Sequence, residues 1–220
     1  MTTAPAWDTY ARQRPDRRTV NASGARTWFN WTQYPDHGPG AELLGIGPGA
    51  SVLDLGCGKG GNLAHVAGMG TRAIGVDLSE RQLHAARNRW GADAFALHQG
   101  DALGYLAGRR AEFDSVYSVF GAAWFIDPAE LLPAVRAALR PGGVFAFSHR
   151  PPVAGCYGCQ ASYIERGPDA DPHVVRRWDH EPEQWRALLG EHGFLSPTAR
   201  VIEAPPGPRT VGTLLVRALG

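Results

Sequence analysis

From Ser51 onward the apolar positions switch repeatedly between two spacings. Short apolar runs at Val52–Leu55, Ala73–Val76, Ala94–His98, Ser115–Val119 and Val144–Ser148 read as strands. Between them, Asn62–Gly68, Glu80–Trp90 and Ala129–Leu139 repeat their apolar residues at helical spacing. Ser79 stands where an N-cap would precede Glu80, and Pro141-Gly142-Gly143 marks the end of the helix before the fifth strand. Strand–helix alternation of this kind predicts a parallel sheet with helices on both faces. Beyond it, Glu181–Leu189 reads as a helix with Pro182 tolerated in its first turn. Strands follow near Thr198–Glu203 and Thr210–Arg217, joined across Pro205, Pro206, Gly207 and Pro208. Two strands on a short turn imply an antiparallel hairpin. The expected fold is α/β: a doubly wound, mostly parallel seven-stranded sheet with a C-terminal antiparallel hairpin.

Two stretches lack either period. Residues 1–50 place Trp28, Phe29, Trp31 and Tyr34 close together, then a Pro/Gly-rich link from Pro35 to Gly49. This predicts an aromatic-rich N-terminal cover, with residues 51–220 as the main domain. Residues 150–180 are rich in Pro, Gly and charge, and are expected to form a loop over the site.

The candidate chemistry begins at the end of the first strand. Gly56, Gly58, Gly60 and Gly61 fall within six residues, directly before a helical pattern. Such a turn lets backbone approach a ligand without side-chain clash, and the following helix offers free N–H groups. Gly56, Gly58 and Gly61 satisfy the dinucleotide pattern G-x-G-x-x-G, with Asp77 placed as a ribose-binding acid. The same loop also reads D-x-G-x-G-x-G through Asp54, Gly56, Gly58 and Gly60. A carboxylate at Asp54 suits a ligand carrying an ammonium group and would repel a pyrophosphate. Taken alone, the loop leaves both readings open.

Composition narrows the classes. A chain of 220 residues with 44% hydrophobic and 20% charged positions suits a globular α/β domain with a modest appendage. No apolar run is long enough for a membrane span, and Met1 to Asp8 lack a basic segment leading into an apolar core. A cytoplasmic protein without membrane contact is therefore expected. A formal charge of +1, with arginines dispersed, gives no general pull on nucleic acid. Cys156 and Cys159 form a C-x-x-C, but no second pair of ligands completes a zinc set, so no metal is expected. The single lysine, Lys59, and the abundance of Gly, Ala, Arg and Pro suggest a GC-rich bacterial genome, and with it secondary metabolism.

Four motifs in register resemble those of class I S-adenosylmethionine-dependent methyltransferases. Val52 to Gly60 (VLDLGCGKG) is similar to the family's glycine loop, and Gly75-Val76-Asp77-Leu78-Ser79 to its second motif. Gly100-Asp101-Ala102 resembles the third, and Leu139-Arg140-Pro141-Gly142-Gly143 the turn before the fifth strand. The resemblance covers roughly Ser51 to Arg217 and displaces the dinucleotide reading. It implies that S-adenosylmethionine meets Asp54, Gly56, Cys57, Gly58, Asp77, Leu78, Asp101, Ala102 and Val119. Asp77 would accept the ribose hydroxyls, Asp101 the adenine amine, and Asp54 the methionine ammonium.

Methyl transfer from a sulfonium is an in-line displacement, in which a protein supplies alignment, dryness and, where needed, a base. By the same resemblance, acceptor contacts come from Trp28–His37, Phe120–Asp127 and His149–Tyr163, with Trp28, Trp31, Trp124, Arg150 and Tyr157 as candidates. His149 is the first choice for a general base because its ordinary pKa lies near neutrality, followed by Tyr34 and His37. An N/D-P-P-Y/F motif, common in enzymes that methylate bases or glutamine, is absent from Ser118-Val119-Phe120-Gly121. The expected acceptor is a small molecule methylated on O or N, and the expected state is a monomer or homodimer. A macromolecular acceptor, or S-adenosylmethionine binding without transfer, are the alternatives.

Overall fold

A computed structural model describes residues 4–220. Helix α1 (Ala4–Gln13) leads into an irregular stretch broken by one 3-10 turn at Ala41–Leu44. The alternating part follows as β1 (Ser51–Leu55), α2 (Gly61–Gly68), β2 (Arg72–Asp77), α3 (Glu80–Trp90), β3 (Ala96–Gln99), α4 (Ala102–Leu106) and β4 (Phe113–Val119). Then come α5 (Ala122–Phe125), α6 (Pro128–Ala138), β5 (Leu139–His149), β6 (Gly158–Ile164) and β7 (His173–Asp179). The chain ends with α7 (Pro182–Glu191), β8 (Leu195–Ile202) and β9 (Thr213–Leu219).

Seven strands form one sheet in the order β3-β2-β1-β4-β5-β9-β8. The first five are parallel; β9 runs antiparallel to β5, and β8 to β9. The doubly wound sheet and its C-terminal antiparallel pair are thus as the periodicity predicts. All five residues of β1 are buried, as a central parallel strand covered on both faces requires. Its alternate residues serve opposite cores. Leu53 and Leu55 pack with Phe145, Phe147, Leu131, Val135 and Trp185 on the α4–α6–α7 side. Val52 packs with Leu63, Val66, Leu83, Phe29 and Trp31 on the other.

Three features depart from the expectation. The stretch 150–180 is not a plain loop: β6 and β7 pair antiparallel as a separate two-stranded ribbon. The short helices α4 and α5 fill connections that carry too few residues for a helical period to show. The Leu139–Gly143 run enters β5 as an irregular stretch, where pairing with β4 jumps between Phe113 and Ser115.

The N-terminal aromatics become a packed cover on the α2–α3 face. Trp31 is fully buried and donates Nε1–H to Gly40 O at 2.8 Å. The Asn62 amide clasps Asn30, accepting from its N–H and donating to its carbonyl. Ser148 Oγ donates to Trp31 O.

Candidate functional site

The strand order reverses between β1 and β4, and ligands of open α/β sheets bind beyond the carboxyl ends of strands at such a point. A cavity of about 500 Å³ opens there. Its floor is a close approach of two loops. Gly56 follows β1 with φ +82°, and a Cβ on it would come within 2.6 Å of Ala122 N. A Cβ on Gly121 would reach 2.5 Å from Leu55 O, so both positions require glycine. Ser118 fastens the same junction, donating Oγ–H to Leu55 O and accepting from Ala123 N. Phe120, between them, sits at φ +49°, an unusual conformation for a side chain of its size, and its N–H donates to Ser148 O. Phe120 lines the cavity.

The wall at the end of β2 is built around Asp77. Its Oδ2 accepts from Gly58 N at 2.8 Å and its Oδ1 from Ser79 N at 2.9 Å. Each oxygen keeps a further lone pair, and the residue lines the cavity. Burial raises the Asp77 pKa, and the two backbone N–H groups hold back part of that rise. Leu78, Ala102 and Leu103 give an apolar seat beside it. Asp101 also lines the cavity while capping α4, with Oδ1 accepting from Gly104 N.

Helix α1 and the ribbon close the cavity from above. Trp7 and Tyr10 line it from α1, and Arg176 and Trp178 from β7. A small apolar cluster of Ala6, Ile164 and Val175, with Trp7, Tyr10 and Phe125 against it, holds the two together. Asp8 on α1 accepts from Ser79 Oγ, which ties the helix to the turn carrying Asp77.

Gly56, Gly58, Asp77, Leu78, Asp101 and Ala102 are thus brought together around one cavity. Asp54, Cys57 and Val119 do not line it. Burial pushes the Asp54 carboxyl up to about 8, and Tyr117 beside it opposes the rise. The Tyr117 hydroxyl itself closes no well-formed hydrogen bond to any partner. Burial likewise pushes the Cys57 thiol up, so that thiol stays protonated.

Of the stretches expected to contact the acceptor, Phe120–Asp127 reaches the cavity through Phe120, Phe125, Ile126 and Asp127; the singled-out candidates for base and acceptor contacts do not line it. His149 is fully buried, ring-stacked on Trp124 at 5.2 Å, with Nδ1 bonded to Arg150 O. Its Nε2 is buried without a partner, and desolvation lowers its pKa to about 4. Tyr34 donates its hydroxyl to Val211 O, and His37 Nε2 meets Glu203 O, both against the C-terminal hairpin. Trp28 is buried beneath the Arg17 guanidinium, and Trp124 donates to Asp179 Oδ1. Arg150 is exposed, and Tyr157 bonds Glu181 at the surface. Reasoning from sequence missed Trp7, Tyr10, Gln82, Glu130, Arg176 and Trp178. Only Trp7 and Tyr10, three residues apart on one face of a helix, carried a readable signal.

A family model for a methyltransferase domain matches residues 52–143, from the start of β1 to the entry of β5. Residues 52–143 are thus similar to a methyltransferase domain. A trans-aconitate 2-methyltransferase of Methylobacterium radiotolerans is 37% identical over 113 residues, covering 49% of this chain and 42% of that protein. An N,N-dimethyltransferase of Streptomyces venezuelae, acting on a dTDP-linked amino sugar, is 38% identical over 95 residues, 41% of this chain and 38% of the relative. The matches thus span less than half the length of these curated relatives. The fold agrees with that of an S-adenosylmethionine dependent methyltransferase from Mesorhizobium loti, at TM-score 0.61 and 23% identity over 81% of this chain and 94% of the other. The matched residues hold β1 to β4 and the entry of β5; α1 and the ribbon, which roof the cavity, lie outside them. Among the described residues no helix is long and apolar enough to cross a membrane, and no group of three His, Cys, Asp or Glu gathers as a metal site.

Proposed function

We propose that the protein transfers the methyl group of S-adenosylmethionine to an oxygen or nitrogen of a small molecule. The observation that carries this reading is Asp77: a half-buried carboxylate fixed by two backbone N–H groups, with unused lone pairs at a cavity floored by glycine. Asp77 would hold the ribose hydroxyls, the Leu78–Ala102–Leu103 seat the adenine, and the Gly56–Gly121 floor the methionyl chain. When bound, the cofactor supplies an electrophilic methyl on a sulfonium. The chain's own part is alignment and exclusion of water, through Phe120 below and Trp7, Tyr10 and Trp178 above.

A volume of about 500 Å³ shared by cofactor and acceptor argues for a small acceptor. The near-neutral charge of the chain argues in the same direction, against nucleic acid. No histidine lines the cavity, so an acceptor that needs little help in losing a proton fits best. The names of the curated relatives, a tricarboxylic acid and a nucleotide-linked amino sugar methyltransferase, agree with a small-molecule acceptor.

Incubation with methyl-labelled S-adenosylmethionine and a bacterial extract separates the alternatives. Label is expected in the small-molecule fraction. Label recovered in RNA or protein would overturn the acceptor class, and firm cofactor binding without any labelled product would favour a role without transfer.

A further inference from the structure

We propose that the acceptor is a carboxylic acid and that Arg176 is the residue that recognises it; this rests on the transferase reading above. The carboxylates around the cavity have structural tasks. Asp77 accepts from Gly58 and Ser79, Asp101 from Gly104, and Asp127 from Ala129 at the start of α6. Glu130 is exposed in the first turn of that helix, a favourable place for an anion. Arg176 has no such task. It is the one cation among the cavity-lining residues; the side chain is solvent-exposed, and its guanidinium enters no ion pair or hydrogen bond among the described residues. Its neighbour Arg177 shows the contrast, bonding Asp179 at 2.8 Å. Arg176 instead stands 5.7 Å from the centroid of Trp178, which lines the same cavity.

An unpaired guanidinium against an aromatic ring, facing a cavity also walled by Trp7, Tyr10, Phe120 and Phe125, is a seat for an anion on a flat or apolar body. A carboxylate matches the fork of donors. It also answers the missing base. A carboxylate is already deprotonated at neutral pH, so no histidine has to remove a proton. In the transfer one carboxylate oxygen forms the bond to the methyl carbon while the sulfur–methyl bond breaks, its electron pair staying on sulfur. The products are a methyl ester and S-adenosylhomocysteine, with no proton released.

The test uses methyl-labelled S-adenosylmethionine with the small-molecule fraction of a bacterial extract. Methyl esters release labelled methanol in mild alkali, whereas N-methyl and ether methyl groups do not. The wild type is expected to give alkali-labile label. Arg176→Gln should lose at least tenfold of it while binding S-adenosylhomocysteine within twofold of wild type, and Arg176→Lys should restore part. Alkali-stable label, no label despite S-adenosylhomocysteine binding, or an unchanged yield in Arg176→Gln would each overturn the proposal. Failure to bind S-adenosylhomocysteine at all would instead strike the transferase reading on which it rests.

Discussion

At the scale of single residues, His149 shows how a side chain with reactive chemistry can be claimed by packing. It lies between Trp124 and Phe147 with Trp185 edge-on, and burial lowers its pKa from 6.5 to about 4. The unfolded chain therefore binds a proton at this residue between pH 6.5 and 4 that the folded chain refuses. Its contribution to stability is intact above pH 6.5 and is lost as pH falls towards 4, by about 2 kcal/mol between pH 7 and pH 5. Asp54, raised by burial to about 8, works in the opposite sense over the same range. The two separate by comparison with a variant. Urea unfolding at pH 7 and pH 5 should show the wild type losing about 2 kcal/mol more than His149→Gln. Equal pH dependence in both proteins would show that the ring is not buried neutral.

Residue type in the sequence told that His149 could act as a base, but not which neighbours enclose it. The rings of Trp124 and Trp185 reach it from 25 and 36 residues away along the chain, contacts that no local period encodes. Asp77 was legible for the opposite reason. Its role follows from a turn whose donors, Gly58 and Ser79, belong to motifs that local spacing displays.

Among the elements, the β6–β7 ribbon is the one whose absence from the sequence reading matters most. Its outward positions are polar or exposed, Tyr163 and Val174 among them, and Pro/Gly-rich segments flank it. A two-stranded ribbon has little buried face to impose a period. It holds its place through α1 and through Asp179, which is buried and accepts from Trp124 Nε1 at 2.8 Å and Arg177 Nε at 2.8 Å. Asp179→Ala leaves the indole N–H without its acceptor and frees the end of β7. The expected result is a loss of about 2 kcal/mol in urea unfolding, with faster proteolytic cutting between 150 and 180. Unchanged cutting would mean that the ribbon is fixed by the α1 cluster alone. Strands β1, β2, β4 and β5 behaved differently: most of their paired residues are buried, so an apolar run announces each one.

Over the whole molecule, the sheet presents its reversal point between β1 and β4 to a roof made of the two segments outside the matched domain. The lower half of the cavity was readable as motifs in register. The upper half was not, because Trp7, Tyr10, Arg176 and Trp178 meet only through tertiary packing. The lower half carries the proposed cofactor binding. Calorimetric titration with S-adenosylhomocysteine, in wild type and Asp77→Ala, tests it most directly. The wild type should bind, and the variant should bind roughly a hundredfold more weakly for the loss of hydrogen bonds to a charged acceptor. No binding by the wild type, equal binding by the variant, or tighter binding of NAD would contradict it.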